Sequence, residues 1–241
     1  MKTTTKIAVF AGAVAAFLLV SVAGAAAQKA NIVYTEGSAK IKAAAGSQRV
    51  ADITYLGGDG NDVIYGLNGA VLANDGSTVT ITGGTITTSG TGANGAIPTG
   101  NGTSITLSDL KITATGNGGH GVMATLGATL RLNNVDISTT GSNGAPIATD
   151  RGSGTVTVTG GTVTSSGTDS PGIYSTGVIT VNDATITSTG TEAAVIEGFN
   201  SITLSNTSLT GGVAKTGGVM IYQSMSGDAE TGTGTFTMNG G

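Results

Sequence analysis

A chain of 241 residues with a net charge of −4, no cysteine and no tryptophan excludes several classes of protein at once. No disulfide can hold it, it lacks the basic clusters that bind nucleic-acid phosphates, and 4% aromatic residues cannot fill a wide aromatic core. Charged residues are only 10% and glycine reaches 42 residues, yet 38% of the chain is apolar and regularly spaced, which argues against disorder.

The first 27 residues differ from everything that follows. Lys2 and Lys6 precede an apolar run from Ile7 to Val20, and AGAAAQ offers small-residue cleavage points near Ala25 or Ala27. This is the layout of a secretory signal peptide over residues 1–27. The same run is also long enough for an uncleaved membrane anchor. Either way the expected location is secreted or cell-surface, with membrane contact only through this segment and no nucleic-acid partner. Residues 28–52 are expected to form an N-terminal segment or cap, in which KIKAAAGSQRV (40–50) is the most basic stretch.

Residues 57–66, GGDGNDVIYG, match the calcium-binding nonapeptide Gly-Gly-x-Gly-x-Asp-apolar-x. In such repeats each turn supplies half of a site through backbone carbonyls and an aspartate. A second copy is therefore needed from about Gly66, where the sequence is GLNGAVLAN, with no aspartate in place. Asp59 and Asp62, helped by Asp52 or Asp75, are candidate metal ligands for calcium; a glycine turn opening the first coil explains the same residues. No other cofactor is indicated.

From residue 78 a repeat takes over. TVTITGGTI (78–86), SITLSDLKI (104–112), TLRLNNVDI (129–137), TVTVTGGTV (155–163), VITVNDATI (178–186), SITLSNTSL (201–209) and TFTMNGG (235–241) stack on one another. Their first apolar residues, Val79, Ile105, Leu130, Val156, Ile179, Ile202 and Phe236, are separated by 26, 25, 26, 23, 23 and 34 positions. Within each unit apolar residues alternate with Thr or Ser, which predicts a strand. A two-residue corner follows, then a second strand carrying Ile86, Ile112, Ile137, Val163, Ile186 and Leu209. A polar loop comes next, and a third strand closes the unit: AIPT, VMAT, PIAT, GIYST, AVIE, VMIYQ. Three short strands in about 25 residues predict one coil of an all-β, single-stranded, right-handed parallel β-helix over residues 53–241. A β-sandwich of hairpins explains the alternation but not the constant phase of all three strands. The sequence stops partway through a coil, which suggests a piece truncated at its C-terminus.

Three features invite a functional reading. GHG (119–121) holds the single histidine and resembles a motif of β-helix pectin hydrolases. Their Asn-Thr-Asp and Asp-Asp motifs are absent, and RLN (131–133) only faintly echoes their Arg-Ile-Lys, so His120 is expected to be a solvated turn residue. The Thr-x-Thr columns could match ice, but Lys111, Arg131 and Asp136 interrupt them, and ordinary β-propensity explains them. The third-strand corner is richer. Asp150 and Arg151 lie on one coil, Tyr174 on the next, Glu197 on a third, and Tyr222 with Gln223 on a fourth. This stripe is the candidate ligand-binding site. Asp150 and Glu197 would stand two rungs, or ~10 Å, apart, loosely near the spacing of paired glycosidase carboxylates, so Asp150, Arg151 and Glu197 double as weak catalytic candidates. An Asp150–Arg151 charge pair among ordinary corner residues is the plain alternative.

The stretches YGLNGAVLA (65–73), HGVMATLG (120–127), IATDRGSGTVTVTGG (147–161), GIYSTG (172–177), VIEGFNSITL (195–204) and GVMIYQSMSGDAETGTGTF (218–236) resemble exported β-helix proteins of bacteria and archaea. These are adhesin-like or autotransporter-passenger-like chains within the pectate-lyase-like β-helix superfamily. The resemblance implies surface location and a chain that continues further. The expected function is therefore non-enzymatic binding of extracellular polysaccharide or another cell surface. A polysaccharide lyase or glycoside hydrolase is the first alternative, a structural stalk the second.

Overall fold

The computed structural model describes residues 68–74, 76–212, 217–224, 227 and 229–241, with the backbone of three further strands at 30–34, 39–43 and 52–55. The signal segment and GGDGNDVIYG, with Asp59 and Asp62, lie outside the described residues, as does Asp75.

Strands β1 (Ala30–Tyr34), β2 (Ala39–Ala43), β3 (Asp52–Tyr55) and β4 (Gly69–Ala73) begin the fold. Six coils follow, each of three strands. They are β5 (Thr78–Thr82), β6 (Gly84–Thr88) and β7 (Asn94–Pro98); β8 (Ser104–Ser108), β9 (Lys111–Ala114) and β10 (Val122–Thr125); and β11 (Thr129–Asn133), β12 (Asp136–Thr139) and β13 (Ile147–Asp150). Then come β14 (Thr155–Thr159), β15 (Thr162–Ser165) and β16 (Ile173–Ser175); β17 (Val178–Asn182), β18 (Thr185–Ser188) and β19 (Ala194–Glu197); and β20 (Ser201–Ser205), β21 (Ser208–Thr210) and β22 (Val219–Tyr222). β23 (Thr235–Asn239) starts another turn.

Each strand pairs in parallel with its counterpart one coil away, giving three long sheets around one core: an all-β parallel solenoid of about six turns. The first strands run β5-β8-β11-β14-β17-β20-β23, the second β1-β6-β9-β12-β15-β18-β21, and the third β3-β2-β4-β7-β10-β13-β16-β19-β22. The backbone of 30–34 and 39–43 therefore extends the second and third sheets, pairing with β6 and β4. β3 joins β2 antiparallel.

The ladders match the sequence spacing residue for residue. Val79, Ile105, Leu130, Val156, Ile179, Ile202 and Phe236 are successive partners in the first sheet. Ile86, Ile112, Ile137, Val163, Ile186 and Leu209 do the same in the second. Of these, Ile86, Ile105, Ile112, Leu130 and Ile179 are among the largest fully buried side chains, each worth about 1.5–3 kcal/mol of burial. Threonine fills the outer positions because a β-branched polar side chain suits a solvated strand face.

Two backbone devices let the coils stack. The corner after the first strand needs positive φ, and Gly83, Asp109, Asn134, Gly160, Asp183 and Asn206 supply it at 69°, 52°, 52°, 70°, 55° and 47°. Side chains reinforce it: Asn134 Nδ2 donates to Asp109 Oδ1 at 2.8 Å and Asn206 Nδ2 to Asp183 Oδ1 at 2.6 Å. In the loop after the second strand, Gly90, Gly116, Gly141, Gly167 and Gly190 stack in a column. A Cβ on Gly116, Gly141, Gly167 or Gly190 would sit 1.8–2.2 Å from the carbonyl oxygen of the glycine one coil earlier. No side chain fits there.

Candidate functional site: a groove on the third-strand sheet

The third strands do not alternate. Every residue of β7, β10 and β19 is buried, so both faces of this sheet are covered. The inner ladder is Ala96, Val122, Ile147, Ile173, Ala194 and Val219. One residue on, a row of Met123, Ala148, Tyr174, Val195 and Met220 faces outward. Leu72, Ile97, Met123, Ala145 and Ala148 make an apolar cluster separate from the core, with Tyr174 packed against it.

In the later coils this cluster opens into a cavity of about 530 Å³. Its floor is Met123, Tyr174, Val195 and Met220, with Asp150 and Tyr222 along one edge. The facing wall comes from the loops between second and third strands: His120, Asn143 and Ala145, then Asp169 and Pro171, then Thr191 and Glu192. As far as Asp169 those loops turn alike. The corner residues Gly92, Gly118, Asn143 and Asp169 have φ of 65°, 67°, 54° and 52°, and the backbone N–H groups of Gly92, Gly118 and Asn143 each donate to the coil that follows.

At the C-terminal edge Glu197, only 1% exposed, gathers hydroxyl donors. Tyr174 Oη and Tyr222 Oη both donate to Oε2, the latter at 3.0 Å, and Ser224 Oγ donates to Oε1. The backbone carbonyl of Glu197 accepts from Asn200 Nδ2 at 2.6 Å. β19 and β22 set this up by register, since Glu197 and Tyr222 are direct partners. Tyr174 reaches the same carboxylate from the neighbouring row. Burial, then its bond to Glu197, pushes the Tyr174 hydroxyl above the usual phenol range, so it donates at all ordinary pH.

Asp150 is engaged at its own corner. Its Oδ1 accepts from the Arg151 backbone N–H at 2.8 Å, and Arg151 Nε lies 3.7 Å from Oδ2. With the two side chains 23% and 38% exposed, this ion pair adds little to stability. β16 lies between β13 and β19 in this sheet, so the coils that carry Asp150 and Glu197 are two rungs apart. Of the six candidate residues, Asp150, Tyr174 and Tyr222 line the groove and Glu197 lies behind the tyrosines. Arg151 and Gln223 are not among the lining residues. Gln223 instead ties the following loop, its Oε1 accepting from the Gly232 N–H at 3.0 Å.

His120 is not the solvated turn residue expected. It is partly buried in the groove wall, where Nδ1 lies 3.1 Å from the Ala145 carbonyl. A carbonyl only accepts, so Nδ1 carries a proton. Burial pushes its pKa down to about 4, against a smaller upward pull from the Ala145 bond. The unfolded chain thus takes up this proton at a higher pH than the folded one, and stability contributed by the neutral ring is lost as pH falls from about 6.5 to about 4. His120→Gln is expected to flatten that part of the melting-temperature profile relative to the native chain. Parallel profiles across the window would contradict the assignment.

The groove wall was missed in the sequence because different residue types occupy it from one loop to the next. One signal was available: VMAT and AVIE lack the Thr alternation of the other strands, and both are buried on both faces. Among the described residues no group of three His, Cys, Asp or Glu side chains could hold a metal ion. Nor is any helix there long and apolar enough to cross a membrane. The fold and groove define a parallel β-solenoid with one lined outer face. Compared with known proteins, the chain matches no family model, no curated protein and no solved structure.

Proposed function

We propose that this is an exported, adhesin-like β-solenoid that binds extracellular polysaccharide through the groove on its third-strand sheet. The observation that carries the reading is the groove itself, with Tyr174 and Tyr222 beside an apolar floor and polar groups along both edges. A sugar ring has an apolar face and a polar rim, and such a lining complements both. The tyrosines are held by Glu197, so little rotamer freedom is lost when a ligand arrives. The signal-like residues 1–27 support export, and a tube with a repetitive face suits an extended polymer.

The engagement of both carboxylates favours binding over bond cleavage. Glu197 accepts from three hydroxyls and Asp150 from Arg151, so neither is set up as a general acid or base. The test is a polysaccharide panel with the whole chain, scoring protein retained and soluble products released, with calcium and with chelator. Retention without products is the expected result. It should weaken at least about tenfold in Tyr222→Ala, because aromatic anchors dominate such sites. Products lost in Asp150→Ala would instead identify a lyase or hydrolase. Retention unchanged in both Asp150→Ala and Glu197→Ala would remove the groove from the reading. Loss of retention with chelator would point to calcium at Asp59 and Asp62. No retention on any polymer would leave a structural stalk.

A further inference from the structure

The charge around the groove narrows the class of sugar. Three carboxylates line it, Asp150, Asp169 and Glu192, and Glu197 stands directly behind its tyrosines. None of the lining residues is Lys or Arg. Arg151, next to Asp150 in the chain, pairs with it. His120, the one lining group that could become positive, donates Nδ1–H to a backbone carbonyl and stays neutral well below pH 7. Glu192 is buried in the wall at 4% exposure, where its Oε2 accepts from the Thr191 hydroxyl. Asp169 is exposed at the rim of the same wall.

A uronate or sulfated polymer would bring like charge against this wall, and a neutral polymer would leave its field unused. A ring that stacks on the floor and carries a positive group at its edge satisfies both surfaces. Resting on the glycan-binding reading above, we propose that the groove selects an amino-sugar chain whose amines are free and protonated. The ring faces lie over Tyr174, Tyr222 and the methionines, and an ammonium faces Asp169 and Glu192.

Calorimetry at low salt and about pH 6, below the range of a free amine, tests this. The probes are a glucosamine oligosaccharide with free amines, its fully N-acetylated counterpart and an oligouronate. The free-amine chain is expected to bind at least about tenfold more tightly than the acetylated one, with the oligouronate unbound. Asp169→Asn should remove most of that preference while leaving the fold intact, because asparagine tolerates the φ of 52° at this position. Glu192→Gln should act in the same direction. Asp183→Asn, an equal loss of charge at the exposed corner after a first strand with φ of 55°, should change nothing. Equal affinity for free and acetylated chains, or preference for the uronate, would overturn the amino-sugar assignment and leave glycan binding standing. An equal effect of Asp183→Asn would mean diffuse attraction to an acidic protein, and would overturn it too. No binding to any of the three, together with no retention on the polysaccharide panel, would overturn both readings.

Discussion

Gly141→Ala is expected to cost the solenoid about 3 kcal/mol or more, a fall in melting temperature of about 6–12 °C for a chain of this size. The new Cβ would stand 2.1 Å from the Gly116 carbonyl oxygen, 2.4 Å from its carbon and 2.8 Å from the Asn117 nitrogen. All three are backbone atoms, so no side chain can swing aside. Relief requires the coils to part at that corner, yet the ladders hold them on either side. Thr140 N–H donates to Ala114 O at 3.1 Å just before the glycine, and Gly118 N–H to Ser142 O at 2.7 Å just after it. The exposed neighbour Thr140→Ala should stay within about 0.5 kcal/mol of the native chain. Thermal unfolding followed by circular dichroism separates the two. If both variants melt with the native protein, the glycine column does not bring consecutive coils into contact.

Glu197→Ala is expected to lower stability by about 1–3 kcal/mol and to loosen the groove. It removes a buried side chain and strips the shared acceptor from Tyr174, Tyr222 and Ser224, whose hydroxyls border the groove, so water replaces part of what they lose. Glu197→Gln keeps the volume and one acceptor oxygen, so about half that loss is expected. A second readout distinguishes pinned rings from ordinary packing. With no tryptophan and five tyrosines, the near-ultraviolet circular dichroism of this protein is largely tyrosine signal. Freeing two of the five should diminish it while the far-ultraviolet spectrum keeps its β character. Sugar retention should fall in the same order, native, then Gln, then Ala. Unchanged melting with an unchanged near-ultraviolet spectrum would show that Glu197 does not organise the tyrosines.

The coil is legible in the sequence because a parallel solenoid is nearly one-dimensional. Each strand meets only its counterpart one period away, so equal spacing in the chain becomes adjacency in space. That is why Val79 through Phe236 could be ordered into one ladder, and Ile86 through Leu209 into another, from their positions alone. Corner chemistry was equally open, since Gly, Asn and Asp recur where positive φ is needed. Asp150, Tyr174, Glu197 and Tyr222 could be brought to one face by the same counting.

What counting could not supply is the shape of the loops and the direction of each side chain at a corner. Arg151 and Gln223 sit beside groove residues in sequence, but one turns to Asp150 and the other to the loop at Gly232. The glycines at 116, 141 and 167 look like solvated loop residues until the coils are stacked, because only the close approach of two backbones forbids a Cβ. His120, Asp169 and Glu192 form one wall although they are three different residue types, so no repeated letter marks it. The sequence by itself determined the ladder, because periodic burial of small apolar residues has one parallel solution. The tertiary structure alone decided the groove, because its two sides come from loops and strands whose meeting depends on backbone geometry rather than on residue type.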